Sequence, residues 1–404
     1  MSATSTTRVV EAAGDSAARP KGTPWRGPLR TCVGIWAITR LLTVGIGSGI
    51  ALAMGKSVTY PWRIWDGEWF IYIARHGYGF GPPHFDPSPA FYPLYPGLLW
   101  LGAQLLGGNT VAAGVALAFP LTLAAFVLLF VLARDLVDEK SALLAVVYVA
   151  VFPYAFFLQA LYSEAIFLVC AVAAFLAAER RRFLLAGVLA GTAMLARAAG
   201  IAVLAGLLVL AMKSSRRRAN VLRLATALPV FSIYLLVLAL QGRSPKAFLT
   251  AEHGWRKYSA HDPVGTVLAP FRSLYEGGRA AWTGAIDIVD KLVSGSSLSA
   301  LAIHDVAAFA TLVLFLPLSV LAWKRLGSAY GVYCVVSFAI PLVVRPAAAP
   351  LLSLPRFALT VFPCFIVLGT LRLRPYAHRI LLGVSFLLLV GALYLWNHGS
   401  FVVA

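Results

Sequence analysis

Charge is scarce in this chain: Asp, Glu, Lys and Arg make up 12% of its 404 residues, about half the share of a soluble globular domain. Apolar residues make up 60%, and at about 20 residues per crossing they could supply up to about a dozen spans. A soluble enzyme is excluded, and the chain reads as a polytopic membrane protein. Acidic residues are the scarcer sign, 16 against 34 Lys and Arg, for a net charge of +18. In a soluble chain that excess would suggest nucleic acid. Here the basic residues fall in short clusters between apolar runs, where they orient spans, so no nucleic-acid partner is expected. Cysteine is almost lacking. Cys32, Cys170, Cys334 and Cys364 each sit alone in an apolar run without CxxC spacing, and read as small buried hydrophobes. Neither a disulfide nor a metal site is expected.

What is present is a series of apolar runs punctuated by positive charge. Residues 1–28, rich in Ser, Thr, Ala, Pro and Arg without periodicity, read as a disordered cytoplasmic tail, and 29–404 as the transmembrane domain. The first apolar run, about 31–55, follows a tail too long for a signal peptide's n-region and reads as an uncleaved anchor. Basic clusters in the tail, at Arg180–Arg182, at Lys213 with Arg216–Arg218, at Lys324–Arg325 and at Arg372, Arg374 and Arg379 mark cytoplasmic loops. Between consecutive clusters the number of crossings must then be even.

That parity decides the stretch 183–212, which lies between two such clusters with Arg197 at its middle. Two crossings of about 15 residues reach only about 22 Å each, short of the roughly 30 Å core. A hairpin of short helices is expected, shielded by protein, with Arg197 near its exoplasmic tip. Residues 87–133 carry no charge but are broken by Gly107, Gly108 and Asn109; 110–133 reads as a span and 94–106 as a helix at the exoplasmic surface. Further spans are expected near 141–160, 163–178, 220–241, 303–323, 328–345, 357–371 and 379–396. The total is eleven, N-terminus inside and C-terminus outside. Two long exoplasmic loops remain, 56–109 and 242–302. In the second, Val264, Leu268, Phe271, Leu274, Trp282, Ile286 and Val289 recur at about helical spacing, as in interfacial amphipathic helices.

The strongest chemical signal lies in the first loop, at Trp62-Arg63-Ile64-Trp65-Asp66-Gly67-Glu68-Trp69-Phe70, running on to Ile73-Ala74-Arg75-His76-Gly77-Tyr78. Trp and Tyr favour the membrane interface, but an aromatic belt has no need of carboxylates in its middle, where low-dielectric surroundings penalise charge. Asp66 therefore reads as functional, and Glu68 as either functional or part of the belt. Glu164, after Tyr162 and Ser163, opens a span on the same side as Asp66, as a ligand or as a solvated or Arg-paired carboxylate. Arg197, Arg356 and Arg345 are the cations on that side, the last two in a loop punctuated by Pro346, Pro350 and Pro355. Arg197 has a purely structural alternative, pairing with Glu164. Arg40 is explained by snorkelling, and Asp305 by either a helix-start charge or function.

The blocks WDGEWFIYIARHGYG from Trp65, FYPLYP at 91–96, YSE at 162–164 and LARAAG at 195–200 resemble the pattern of the GPI mannosyltransferase 2 (PIG-V) family and its bacterial relatives. These belong to the GT-C class of membrane glycosyltransferases, and the likeness runs from about 36 to 370. It implies an all-α multi-span bundle of GT-C type, and a donor that is a polyprenyl or dolichyl phosphate sugar, typically mannose, used at the exoplasmic face. The acceptor would be a lipid-linked molecule or glycan, with membrane lipid as surroundings and no cofactor besides the donor. The catalytic Asp of such enzymes maps to Asp66. Inverting displacement of a lipid phosphate needs one base for the acceptor hydroxyl and cations where phosphate charge develops. The second carboxylate of a glycosidase is not needed. Arg197 and Arg356 are the candidates for the phosphate; Glu68, Glu164, His76 and Tyr92 are further substrate-binding candidates, the last two through sugar hydroxyls or as structural residues. A lipid-linked sugar flippase is the alternative from another class, but its charges would lie at the midplane between inverted repeats, and no such repeat is visible. A non-catalytic GT-C-like subunit is a third reading, and it requires Asp66 to be dispensable.

Overall fold

The computed structural model describes residues 26–79, 86–253, 263–343 and 350–399. These form helices joined by short connections, with no strand among the described residues. Arg26–Ala53, Thr110–Leu136, Arg217–Leu240, Ala300–Leu326 and Pro375–Asn397 are long and apolar enough to cross a bilayer. Ile38, Leu41, Leu236, Leu314 and Leu387 on their outer faces are exposed, a surface suited to lipid rather than water. The chain is an all-α integral membrane protein.

Its centre is the helix Glu164–Glu179, whose residues are nearly all buried. Around it pack Thr110–Leu136, Phe183–Ala196 and Gly200–Met212. Phe183–Ala196 in turn approaches Ala227–Leu240 so closely that a Cβ on Gly191 would stand 2.8 Å from the Ala227 carbonyl oxygen. Without a hydrophobic force between helices in lipid, such small-residue contacts hold membrane helices together.

The hairpin expected over 183–212 is there. Its arms, Phe183–Ala196 and Gly200–Met212, are each about 20 Å long, and Arg197 adopts an extended backbone (φ −161°, ψ 154°) at the bend. Over 94–106, where a helix at the exoplasmic surface is expected, the chain forms the helix Leu94–Leu105. Asn109 caps Thr110–Leu136, its side chain accepting the Ala112 N–H at 3.0 Å. Pro263–Ser294 contains the periodic residues of the second loop, and Val264, Phe271, Trp282, Ile286 and Val289 are exposed along it.

Two expected spans are interrupted at prolines. Within 141–160 the helix Glu139–Ala150 covers only about 18 Å and gives way before Pro153 to the 3-10 turn Ala155–Leu158. Proline lacks the N–H that a helix would need there. Within 357–371 the chain forms Leu354–Ala358 and Phe362–Gly369, because Pro355 and Pro363 each start a helix rather than continue one. The first helix also begins earlier than expected: residues 26–28 of the expected tail belong to it, and residues 1–25 lie outside the described chain.

Arg40 corrects the snorkelling expectation. It is fully buried, donating from Nη1 to the Ala155 carbonyl at 3.2 Å and from Nη2 to the Ala150 carbonyl at 3.1 Å, with its guanidinium over Phe126. A helix that stops inside protein leaves carbonyls without partners. Arg40 supplies donors where Glu139–Ala150 ends and where the 3-10 turn begins.

Candidate functional site

Asp66 is the first residue of the helix Asp66–His76, an N-terminus that favours a carboxylate. Before it Trp65 holds φ 58°, ψ −122°, a backbone state costly for a residue with a Cβ. The turn is over-determined by neighbours from the 151–163 segment. Tyr162 Oη accepts the Asp66 N–H and donates to the Ile64 carbonyl, both at 3.1 Å, and Leu161 N–H donates to the Trp62 carbonyl at 2.7 Å.

The same turn brings Asp66 to Arg356, 290 residues on. Arg356 Nη1 donates to Asp66 Oδ2 at 2.6 Å, and Arg356 Nε lies 2.7 Å from Glu164 Oε1. Glu164 Oε1 also accepts from Arg197 Nη1 at 2.6 Å. Asp66, Arg356, Glu164 and Arg197 thus form a row of alternating sign. Along it the side-chain exposure falls from 31% at Asp66 through 12% at Arg356 to 0% at Glu164, and is 8% at Arg197. Aromatic faces complete the setting, with Arg356 over Tyr162 at 5.0 Å and Phe157 at 5.5 Å, and Arg197 over Phe357 at 4.8 Å. Such faces hold a guanidinium where water is scarce. Ser353, three residues before Arg356, is left-handed (φ 62°), so an unusual backbone residue precedes each member of the Asp66–Arg356 pair.

Arg197 also faces a cavity of about 470 Å³ with an otherwise mainly apolar lining that includes Met194, Ile201, Phe248, Ala339 and Ile340. Tyr92 lines the same cavity and packs on Tyr234 and Phe248. It lies among the hairpin, Ala227–Leu240 and Ser328–Val343, so an apolar cavity has a cation in its wall.

The other candidates lie elsewhere. Glu68, two residues past Asp66, points about 200° away round the helix, and its exposed carboxylate stands 3.8 Å from exposed Arg63. His76, at the far end of that helix and about 15 Å along its axis, is exposed and packs against Tyr72. The residues after it staple the loop: the Tyr78 N–H donates to Gln241 Oε1 at 2.6 Å and its hydroxyl to the Phe91 carbonyl at 2.7 Å. Asp305 pairs with its neighbour His304 at 3.0 Å, and Arg345 lies outside the described residues. Tyr162 as the clamp on the Asp66 turn, and Phe157 and Ser353 as supports for Arg356, were not singled out by sequence. Tyr162 had a signal, its place beside Glu164 in YSE; the other two had none.

Residues 87–240 match a family model described as dolichyl-phosphate-mannose-protein mannosyltransferase. Comparison with curated proteins gives no significant match. Among solved structures the chain resembles ArnT from Cupriavidus metallidurans bound to undecaprenyl phosphate, with a TM-score of 0.50 at 13% identity over 94% of this chain and 77% of that one. The chain has the GT-C fold. It also resembles AglB, the oligosaccharyltransferase of Archaeoglobus fulgidus, in complex with an inhibitory peptide and a dolichol-phosphate, at a TM-score of 0.45, 13% identity, and 92% and 56% coverage. The structural relationship to ArnT is thus spread along nearly the whole chain, while the sequence signal runs from within the first loop to the end of Ala227–Leu240.

Proposed function

We propose that this chain is a membrane glycosyltransferase that moves a mannosyl residue, with inversion, from a polyprenyl phosphate to a lipid-linked or glycan acceptor. Its site faces the exoplasmic side of a bacterial cell membrane. The observation that carries the reading is Asp66 at the open end of an otherwise buried ionic row, whose other end meets an apolar cavity at Arg197. A lipid phosphate has this shape, an apolar tail ending in charge.

In the reaction the acceptor hydroxyl gives its proton to Asp66 as its oxygen attacks the anomeric carbon. The bond from that carbon to the phosphate oxygen breaks, and its electron pair leaves with the polyprenyl phosphate. Arg356 and Arg197 offset the charge that develops there, and no acid is required for this leaving group. The family model over 87–240 supports mannose and a prenyl-type carrier, and the lipid named for ArnT supports a polyprenyl phosphate.

The test is sugar transfer by the purified protein in detergent, given polyprenyl phosphates carrying mannose, glucose or a pentose and a panel of glycan and glycolipid acceptors. Transfer from the mannosyl donor, lost in Asp66→Asn, is the expected result. Transfer that persists in that variant would sink the reading, and transfer only from another sugar would remove mannose from it.

A further inference from the structure

The ion pair that joins Asp66 to Arg356 has a consequence for catalysis, if the site works as proposed above. A general base must have a lone pair for the incoming proton. Asp66 Oδ2 is engaged by Arg356 Nη1 at 2.6 Å, so the lone pair directed at Arg356 is already taken. Arg356 is unequally held on its two sides. Glu164, on the Nε side, is fully buried, while Asp66, on the Nη1 side, is the most open member of the row. Glu164 has no water to exchange for, and its Oε1 is fixed from the far side by Arg197. Asp66 is the partner that can be displaced.

A phosphate competes for the same donors, since guanidinium presents a fork that fits two phosphate oxygens as it fits a carboxylate. We infer that Arg356 is a shared counterion: the donor's phosphate takes its Nη1 side from Asp66 while Glu164 keeps the Nε side, and the base is released only when the leaving group is seated. The exchange links the two halves of the reaction, because the proton acceptor is freed as the phosphate gains its cation. It also sets an order, donor before acceptor. Without a seated donor, Asp66 stays paired with Arg356.

The inference makes an unusual demand on Asp66→Asn, the variant expected to lose turnover. With its charge gone, the side chain competes less for Arg356, so polyprenyl phosphate should bind more tightly, by about 5-fold or more for a charge-assisted hydrogen bond. Simple repulsion between Asp66 and phosphate would also tighten binding, but independently of Arg356. The experiment is therefore a double-mutant cycle: the Kd of an unglycosylated polyprenyl phosphate for the wild type, Asp66→Asn, Arg356→Gln and the double variant, in detergent, each first shown by melting to be folded. The expected result is tighter binding in Asp66→Asn, weaker binding in Arg356→Gln, and no gain from Asp66→Asn in the Arg356→Gln background. Unchanged or weaker binding in Asp66→Asn overturns the inference, as does an equal gain in both backgrounds. If folded wild-type protein and every variant fail to bind the lipid phosphate, the proposed function fails instead, and the shared counterion falls with it. Initial rates give a second readout: an ordered pattern with donor first is expected, and a pattern in which the acceptor binds first would overturn the order.

Discussion

Arg197 Nη1 lies 2.6 Å from Glu164 Oε1, joining the bend of the short hairpin to the first residue of the central helix. Both side chains are almost wholly buried. Two ions taken out of water cost several kcal/mol each, and removing one partner leaves the other uncompensated. We expect Arg197→Met to destabilise the protein by about 3–5 kcal/mol, and Arg197→Met with Glu164→Gln to restore part of that loss, measured by unfolding in detergent. The restoration should be incomplete, because Glu164 also carries Arg356. Full additivity of the two losses would show that the pair contributes nothing.

Asp66 and Glu68 are both carboxylates of one turn, but only Asp66 touches Arg356. Asp66→Asn keeps the shape and removes the proton acceptor, so turnover should fall by roughly 10² or more with the melting temperature little changed. Glu68→Gln should stay within about 2-fold of wild type, since an exposed pair contributes little. Steady-state kcat for the two variants separates them, and a larger loss in Glu68→Gln would move the base to that residue.

The contrast between those two residues explains what the sequence could and could not reveal. The row of Asp66, Glu164, Arg197 and Arg356 was nameable in advance because each ion stands out against an apolar run, where charge is costly enough to need a reason. Glu68 and His76 were named for their nearness to Asp66 along the chain. On a helix, neighbours two and ten residues away do not share its direction or its end. The hairpin was legible from length and charge parity. The breaks at 151–163 and 359–361 were not, because an apolar run reads as a span even where Pro153 or Pro363 interrupts it, and only tertiary contacts decide whether the freed backbone is satisfied. Arg40 was misread for the same reason: its partners are carbonyls more than a hundred residues away.

Arg40 should accordingly matter for stability without touching the site. Arg40→Leu removes the burial cost of a cation but leaves the Ala150 and Ala155 carbonyls without their donors, at about 1–3 kcal/mol each. A net loss of about 2 kcal/mol is expected, with faster amide exchange concentrated in 151–163. A variant as stable as the wild type, with unchanged exchange, would mean that these carbonyls find other partners.

Gly77 and Gly55 both hold positive φ, +78° and +71°, but only Gly77 is enclosed. A Cβ there would stand 2.7 Å from Gln241 Oε1, the acceptor of the Tyr78 N–H, whereas Gly55 opens onto free space. Gly55→Ala should cost only the backbone term, about 1–2 kcal/mol. Gly77→Ala should cost more and loosen the staple between the loop and the end of Ala227–Leu240. Equal melting temperatures for the two variants would show that the staple adds nothing.

The cavity at Arg197 makes a prediction about donor length. Its lining is mainly apolar apart from Arg197 and Tyr92, so what it offers a prenyl tail is burial, about 0.8 kcal/mol per CH₂ removed from water. In detergent or lipid that gain shrinks, because the tail is already in an apolar medium, and the walls then act by shape and by aiming the phosphate at Arg197. Ala339→Phe would narrow the cavity without approaching Asp66 in charge or chemistry. We expect it to raise KM for a long-chain polyprenyl phosphate sugar about 10-fold, the lower part of the range for overfilling an apolar site, and to leave KM nearly unchanged for a donor trimmed to one or two isoprene units. Turnover at saturation should change little for either donor, since the ionic row is untouched. A rise in KM that is the same for both donors would place the long tail outside this cavity, along the lipid-facing surface, and would leave Arg356 rather than Arg197 as the cation for the phosphate.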